Sequence, residues 1–345
     1  MIRRVLTAVF QVFIVVCLVD GFLDIVYPAI GYFKKNMEDS FRAPEMGIKM
    51  PRSGLPVRQE PGIPNILKEY ASAYINIAPD GRRSNGGAPL VAAGHKGILL
   101  GSSTAFGHGV KDSQTISSQL ERELEGVRVY NYAGLGQPTS SSILRWYDLQ
   151  KKYGNPDFVI VAGINYQIYS DCKLYRSGFE HSNIFFHLAK VAENTSEYKH
   201  VSQCESSDSA DLAVRNSIVS VESALSFGRK MGSPFYLVYL PTPYDPNANI
   251  DHLITSESAR SFIVGMQKVY AQYRKELKKL DVPELIDLSD ALPPEGKYFT
   301  DLGGHLSAEG NKIVAKALAQ RIRPIVSSPS HANFNAPDGP APLNN

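Results

Sequence analysis

A serine and a histidine in this chain have the residue types and local surroundings of an acyl-transfer pair. Ser103 follows the apolar run GILLG, whose last glycine allows a tight turn that presents the hydroxyl at the edge of a sheet. The N–H of Ser103 would then stay free to bind an oxyanion. His305 precedes the last helical segment and can act as the base that activates the serine. Together the two residues predict nucleophilic catalysis.

Two further groups could stabilise the negative charge that this chemistry develops. Gly134 follows the second apolar run and can supply a backbone N–H, while Asn165 follows the third and can add a side-chain amide. Preorganised donors of this kind stabilise a tetrahedral oxyanion, so Ser103, Gly134 and Asn165 are the predicted oxyanion donors. The sequence contains no compact set of His, Cys and carboxylate ligands, and we therefore expect neither a metal nor a cofactor.

Alternating strand and helix signals explain how such distant segments can meet. From position 97 the apolar runs GILLG, VRVYNYAG and DFVIVAGIN alternate with segments of helical periodicity, and DFVIVAGIN is typical of a strand buried on both faces. This order predicts an α/β fold, a three-layer α/β/α sandwich whose parallel sheet is joined by right-handed crossovers. The carboxyl ends of parallel strands share one edge of the sheet, so we expect the four groups to form one site.

The four segments resemble the sequence blocks of the SGNH/GDSL hydrolase superfamily, including its membrane-anchored bacterial members. The family's GDS or GGST reads GSST here, which implies Ser103 as the nucleophile, with the adjacent Ser102 as the alternative. The second block maps to Gly134. The third, usually GxND, reads GINY, so Asn165 is kept and Tyr166 replaces the aspartate. The resemblance covers roughly residues 96–324 and implies the α/β/α fold.

The fourth block departs further from the family pattern. The family's aspartate lies three residues before its histidine, whereas Asp301 lies four residues before His305 and Leu302 stands at the usual offset. Two glycines between Leu302 and His305 would let the loop bulge, so we expect Asp301 to orient the imidazole. Asp287, Asp290 or a backbone carbonyl are the alternatives.

The resemblance implies a serine esterase or acyl hydrolase. Its expected substrates are short-chain esters, above all O-acetyl groups on an envelope or exported polysaccharide, with lipid esters as a further class. The same site would also suit transfer of the acetyl group to a sugar hydroxyl, and the envelope polysaccharide machinery is the expected partner. The alternative is a noncatalytic SGNH-like module that binds glycan or scaffolds a membrane assembly, which Ser102, Tyr166 and the shifted Asp301 favour.

Composition excludes several other classes of protein. The chain of 345 residues is too long for a small disulfide scaffold and long enough to bury a sizeable core. Its 36 Lys and Arg residues against 34 Asp and Glu residues give a net charge of +2, so no basic excess points to nucleic acid.

Residues 1–33 are predicted to form an N-terminal membrane helix that acts as a signal anchor. Arg3 and Arg4 precede an apolar run of about 15 residues, shorter than the roughly 20 needed to span a bilayer, but no convincing cleavage site follows it. We favour an uncleaved single pass in the cytoplasmic membrane, with the body facing the periplasm or cell exterior. Cleavage and an amphipathic surface helix remain the alternatives.

The rest of the chain divides by composition. Residues 34–95 are predicted to be a stalk and lead-in with one short helix near NILKEYASAY, residues 96–325 the hydrolase-like domain, and residues 326–345 a disordered tail. Cys172 and Cys204 form either a disulfide or two free thiols. Two other residues have assigned roles: Ser307 is the predicted cap of the last helix, and His108 either belongs to an exposed loop or touches substrate.

Overall fold

Two small antiparallel hairpins precede the main sheet. In the first, β1 (Val57–Glu60) pairs with β2 (Ile63–Leu67), and in the second, β3 (Tyr70–Ala71) pairs with β4 (Asn76–Ile77). The computed structural model describes residues 55–86, 94–172, 204, 206–254, 257–330 and 332–336. The predicted anchor, residues 1–33, lies outside the described residues. Among the helices of the described part, none combines the length and the hydropathy that a membrane span needs.

The short helix predicted near NILKEYASAY is wrong, because residues 65–67 belong to β2 and residues 70 and 71 form β3. Buried side chains of the lead-in, Leu67 and Ile77 among them, join the main hydrophobic core. Packing against the body and pairing across the hairpins therefore override the local helical preference. In the described residues from 55 to 86, the predicted stalk forms part of the body.

Five parallel strands and seven helices make up the body within the described residues. In chain order they are β5 (His95–Gly101), α1 (Ser103–Phe106), α2 (Ile116–Glu123), β6 (Val127–Asn131), α3 (Thr139–Tyr153), β7 (Phe158–Ala162), α4 (Tyr166–Cys172), α5 (Ser207–Met231), β8 (Phe235–Tyr239), α6 (Glu257–Leu280), β9 (Leu285–Asp287) and α7 (Ala308–Val326). The sheet has the strand order β6-β5-β7-β8-β9, and every neighbouring pair is parallel.

Helices cover both faces of this sheet. On one face α2 and α7 pack together, and on the other α3 packs against β5, β7 and α5, while α6 lies beside α5. All five side chains of β7 are buried, as predicted for DFVIVAGIN. The predicted cap of α7 is confirmed too, since the Ser307 hydroxyl accepts a hydrogen bond from the Gly310 N–H at 3.2 Å. The three-layer α/β/α architecture is therefore the predicted one.

The C-terminal segment departs from the prediction of a disordered tail from residue 326. Phe334 is fully buried and lies against the rings of Tyr130 and Tyr153, at centroid distances of 5.3 and 5.7 Å. Lys96 Nζ also donates to the Phe334 carbonyl at 2.8 Å, and the Asn335 N–H donates to the Tyr153 carbonyl at 2.7 Å. One aromatic anchor with backbone hydrogen bonds on both sides orders residues 332–336 despite their polar composition.

Cys172 and Cys204 form a disulfide, with their Cα atoms 5.1 Å apart. The bridge connects the last residue of α4 to Cys204, which lies two residues before Ser206, the N-cap of α5. Of the two alternatives left open by the sequence, the structure contains the bridge.

Candidate active site

Ser103 occupies the first turn after strand β5. Ser102 is the N-cap of α1, so the Ser103 N–H belongs to the first helical turn, whose amides have no intrahelical acceptor. Gly101 makes this turn possible, because its φ is +136° and a Cβ there would lie 1.9 Å from the Ala162 carbonyl oxygen. The sequence thus places the serine at the carboxyl end of β5, where Gly101 pairs with Ala162 at the end of β7.

A chain of two hydrogen bonds connects Ser103, His305 and Asp301. The distance from Ser103 Oγ to His305 Nε2 is 2.8 Å, and from His305 Nδ1 to Asp301 Oδ2 it is 2.6 Å. A carboxylate only accepts, so the imidazole proton is on Nδ1 and Nε2 accepts from the serine hydroxyl. Both distances lie within the range expected from the sequence for a base between an acid and a nucleophile.

The loop before α7 absorbs the extra residue of the fourth block. Asp301 Oδ1 accepts hydrogen bonds from the N–H groups of Gly303 at 2.8 Å and His305 at 3.4 Å, which turns the carboxylate back over the loop. Gly304 has a φ of +83°, a conformation that favours glycine. The diglycine therefore brings Asp301 to Nδ1 as expected, and Leu302 instead presents its carbonyl to the Tyr244 hydroxyl at 2.6 Å.

The other candidate acids lie elsewhere. Arg274 faces both of them, at 3.7 Å from Asp287 and 3.2 Å from Asp290. Neither carboxylate is a partner of His305, because its Nδ1 is hydrogen-bonded to Asp301. The alternative serine, Ser102, is buried and lines a cavity of about 20 Å³, room for roughly one water, with Gly163 and Asn165. The serine that is hydrogen-bonded to His305 is Ser103.

Asn165 is held rigidly at the end of β7. Its Nδ2 donates to the Leu240 carbonyl at 3.1 Å, and its Oδ1 accepts from the Leu240 N–H at 3.2 Å. This pair of bonds fixes the plane of the buried amide. Because an amide nitrogen carries two hydrogens, one remains to donate to an oxyanion.

The structure contradicts the predicted oxyanion role of Gly134. Its N–H donates to the Gly101 carbonyl at 3.0 Å, continuing a ladder in which the Tyr132 N–H donates to Leu99 at 2.8 Å. Parallel pairing of β5 and β6 thus extends beyond β6, and alternate amides point toward β5. The donors that remain from the predicted set are the Ser103 N–H and the Asn165 side chain.

A buried arginine that was not predicted from the sequence, Arg83, stabilises the turn that carries the nucleophile. The Arg83 side chain is fully buried, and its Nε donates to Asp112 Oδ1 at 2.9 Å. Its remaining donors contact three backbone carbonyls near the nucleophile, those of Phe106, Gly107 and Val110. Burial raises the pKa of the Asp112 carboxyl, and the Arg83 charge opposes that shift. The paired arginines of PDGRR were the only sequence signal.

His108, expected either to belong to an exposed loop or to touch substrate, lies beside the proposed base. Its ring stacks on that of His305, with centroids 4.3 Å apart and planes inclined by 28°. Ligand atoms of His108, Asp301 and His305 lie within 4.8 Å of one another, which is the one such trio among the described residues. Imidazole lone pairs lie in the ring plane, however, and nearly parallel stacked rings do not aim them at a common point. The arrangement fits ring stacking better than a metal.

Of the known proteins compared with this chain, only solved structures are similar to it. No protein-family model and no curated protein matches the chain. The chain is similar to an acetylxylan esterase from Geobacillus stearothermophilus (17% identity, 67% of this chain and 94% of that one, TM-score 0.37). It is also similar to a member of the lipolytic protein G-D-S-L family from Veillonella parvula (10% identity, 67% and 98%, TM-score 0.37). Identities and TM-scores this low assign no activity to the chain.

Proposed function

We propose that this protein is a serine-dependent ester hydrolase with Ser103, His305 and Asp301 as its catalytic residues. The observation that carries the proposal is the hydrogen-bonded order of the three side chains, with the acid on Nδ1 and the nucleophile on Nε2. This order has the geometry of a serine, histidine and aspartate triad, which is recognised by roles rather than by position in the chain.

Each group then has a defined step. Ser103 Oγ attacks the ester carbonyl as its proton passes to His305 Nε2, and Asp301 stabilises the resulting imidazolium. The oxyanion accepts from the Ser103 N–H and the free hydrogen of the Asn165 amide. His305 next returns the proton to the departing alcohol, leaving an acyl ester on Ser103. Water, deprotonated by His305, attacks that ester and releases the acid.

The substrate class that we propose is a short-chain ester, O-acetyl groups of an envelope or exported polysaccharide in particular. If a sugar hydroxyl replaces water in the second step, the same residues transfer the acetyl group. Lipid esters are the further class. We also propose that residues 1–33 anchor the chain in the cytoplasmic membrane with the body outside the cytoplasm. The Cys172–Cys204 disulfide supports an oxidising compartment.

Labelling with a fluorophosphonate, followed by acetate release from acetylated glycans, tests the proposal. We expect the probe to label wild-type protein and Ser103→Ala to lose both labelling and turnover, the latter by about 10⁴-fold or more. Ser102→Ala is the matched control, because Ser102 is the adjacent serine and Ser103 is the one hydrogen-bonded to His305. Equal labelling of wild type and Ser103→Ala, or loss in Ser102→Ala alone, would contradict the assignment.

The alternative function is a noncatalytic module that binds glycan or scaffolds a membrane assembly. The engaged Gly134 amide favours it, because the oxyanion site keeps two of its three predicted donors. This alternative predicts that wild-type protein binds acetylated glycan, releases no acetate and is not labelled.

A further inference from the structure

Both ring nitrogens of His305, the base of the proposed triad, are hydrogen-bonded. His305 uses Nδ1 for Asp301 and Nε2 for Ser103, so both in-plane nitrogens have partners. The two faces of the ring are what remains for further contacts, and the His108 ring covers one of them at a centroid distance of 4.3 Å. His108 thus touches the base through the one kind of surface that the two hydrogen bonds leave available.

The position of His108 is tied to that of the nucleophile. The N–H groups of Gly107 and His108 both donate to the Ser103 carbonyl, at 3.1 and 3.0 Å. Gly107 has a φ of +86° and ends α1, and its own carbonyl accepts from Arg83 Nη1 at 2.6 Å. One short turn therefore carries the nucleophile at its start and the stacking ring at its end.

We infer that His108 is a positioning residue that holds the His305 ring by its face and stabilises the imidazolium formed during catalysis. This inference rests on the proposed function. When Ser103 attacks, the proton that moves to Nε2 makes His305 a cation beneath the face of an aromatic ring. The face of an aromatic ring attracts such a cation, and the attraction is larger at a desolvated site. The contact strengthens in the transition state and acts on kcat.

A substrate-binding role for His108 would give a different result. A side chain that only contacted the substrate would contribute equally to the ground state and the transition state, and its removal would raise KM with little change in kcat. The separation of kcat from KM therefore distinguishes the two roles.

The test compares three variants of the full-length protein in hydrolysis of an aryl acetate. We expect His108→Ala to lower kcat by about 5- to 30-fold with KM within about twofold of wild type. His108→Phe restores an aromatic face and should recover kcat to within about threefold of wild type. Lys111→Ala is the control, since Lys111 is an exposed residue three positions further along the same segment.

Each outcome decides the inference. An unchanged kcat in His108→Ala, an effect confined to KM, or equal losses in His108→Ala and His108→Phe would overturn it. If the wild type turns over and Ser103→Ala does not, the proposed function stands whatever the His108 variants do. A wild-type protein without turnover would overturn both. Thermal unfolding of all variants shows whether His108→Ala has lost its fold, and the recovery in His108→Phe keeps the inference testable in that case.

Discussion

The base and the nucleophile of the proposed site are held in place by different kinds of contact. In the base loop, residues 299–306, the hydrogen bonds that hold Asp301 against His305 run within the loop. The Asp301 carboxylate accepts from the N–H groups of Gly303 and His305, and the Thr300 N–H donates to the His305 carbonyl at 2.9 Å. The hydrogen bonds that place the Asp301 carboxylate beside His305 therefore come from a few consecutive residues.

The nucleophile turn, residues 102–110, depends on distant parts of the chain instead. Arg83, from the lead-in, donates to three of its carbonyls, and Asn131 at the end of β6 approaches two with its Nδ2, both at 3.4 Å. Arg83 also pairs with the edge of β6, since its N–H donates to the Asn131 carbonyl at 2.9 Å. A motif can therefore be complete in sequence while the support for its position lies far outside it.

Breaking the base loop from within should have the largest effect. Asp301→Asn replaces an acceptor by a group that also donates to Nδ1, which favours the wrong imidazole tautomer and lowers kcat by up to about 10⁴-fold. Steady-state hydrolysis of an aryl acetate measures the loss. Asp290→Asn is the control, because that carboxylate faces Arg274 and should leave kcat unchanged. Unchanged turnover in Asp301→Asn would reduce the triad to a pair of Ser103 and His305.

Breaking the distant support should affect stability most. Arg83→Met strands the buried Asp112 carboxylate and three carbonyl groups, and we expect the free energy of unfolding to fall by about 3–5 kcal/mol. Urea denaturation gives the value. Adding Asp112→Asn should recover part of the loss, because it removes the uncompensated charge. If the double variant is no more stable than Arg83→Met, the charge on Asp112 is not the cause.

The last effect concerns Tyr244, one of the residues outside the base loop that bond to its carbonyls, and the carboxylate next to it. Tyr244 donates to the Leu302 carbonyl of that loop, and the adjacent Asp245 accepts from Thr242 N–H at 2.7 Å and from Tyr239 Oη–H at 2.9 Å. Burial raises the pKa of Asp245 to about 7. The native state therefore keeps a proton that the unfolded chain has already released between about pH 4 and pH 7.

Because the native state binds the extra proton, the free energy of unfolding should fall as pH rises through this window. We expect a decrease of up to about 4 kcal/mol, which levels off above about pH 7. Urea denaturation of wild type and Asp245→Asn across this pH range measures the difference between the two curves, which removes the contribution of other carboxyls. Parallel curves would show that Asp245 does not titrate there.

Local features of the sequence determined much of the fold and the base side of the site. Hydrophobic periodicity identified β5, β6, β7 and the long helices, because a buried strand and an amphipathic helix each require a particular spacing of apolar residues. The placement of Asp301 beside His305 could also be predicted, since every contact that creates it lies within a few residues and two glycines allow the bend.

Only the tertiary structure decided the contacts that join distant segments. The Gly134 amide is engaged because the hydrogen-bond ladder between β5 and β6 continues past Asn131, the last residue of β6, and Phe334 is ordered because two tyrosines from separate elements meet it. The sequence equally shows no reason for Arg83 to lie beneath α1 or for His108 to stack on His305. Such contacts depend on how packed layers bring side chains together across large sequence separations, which residue type and local spacing do not encode.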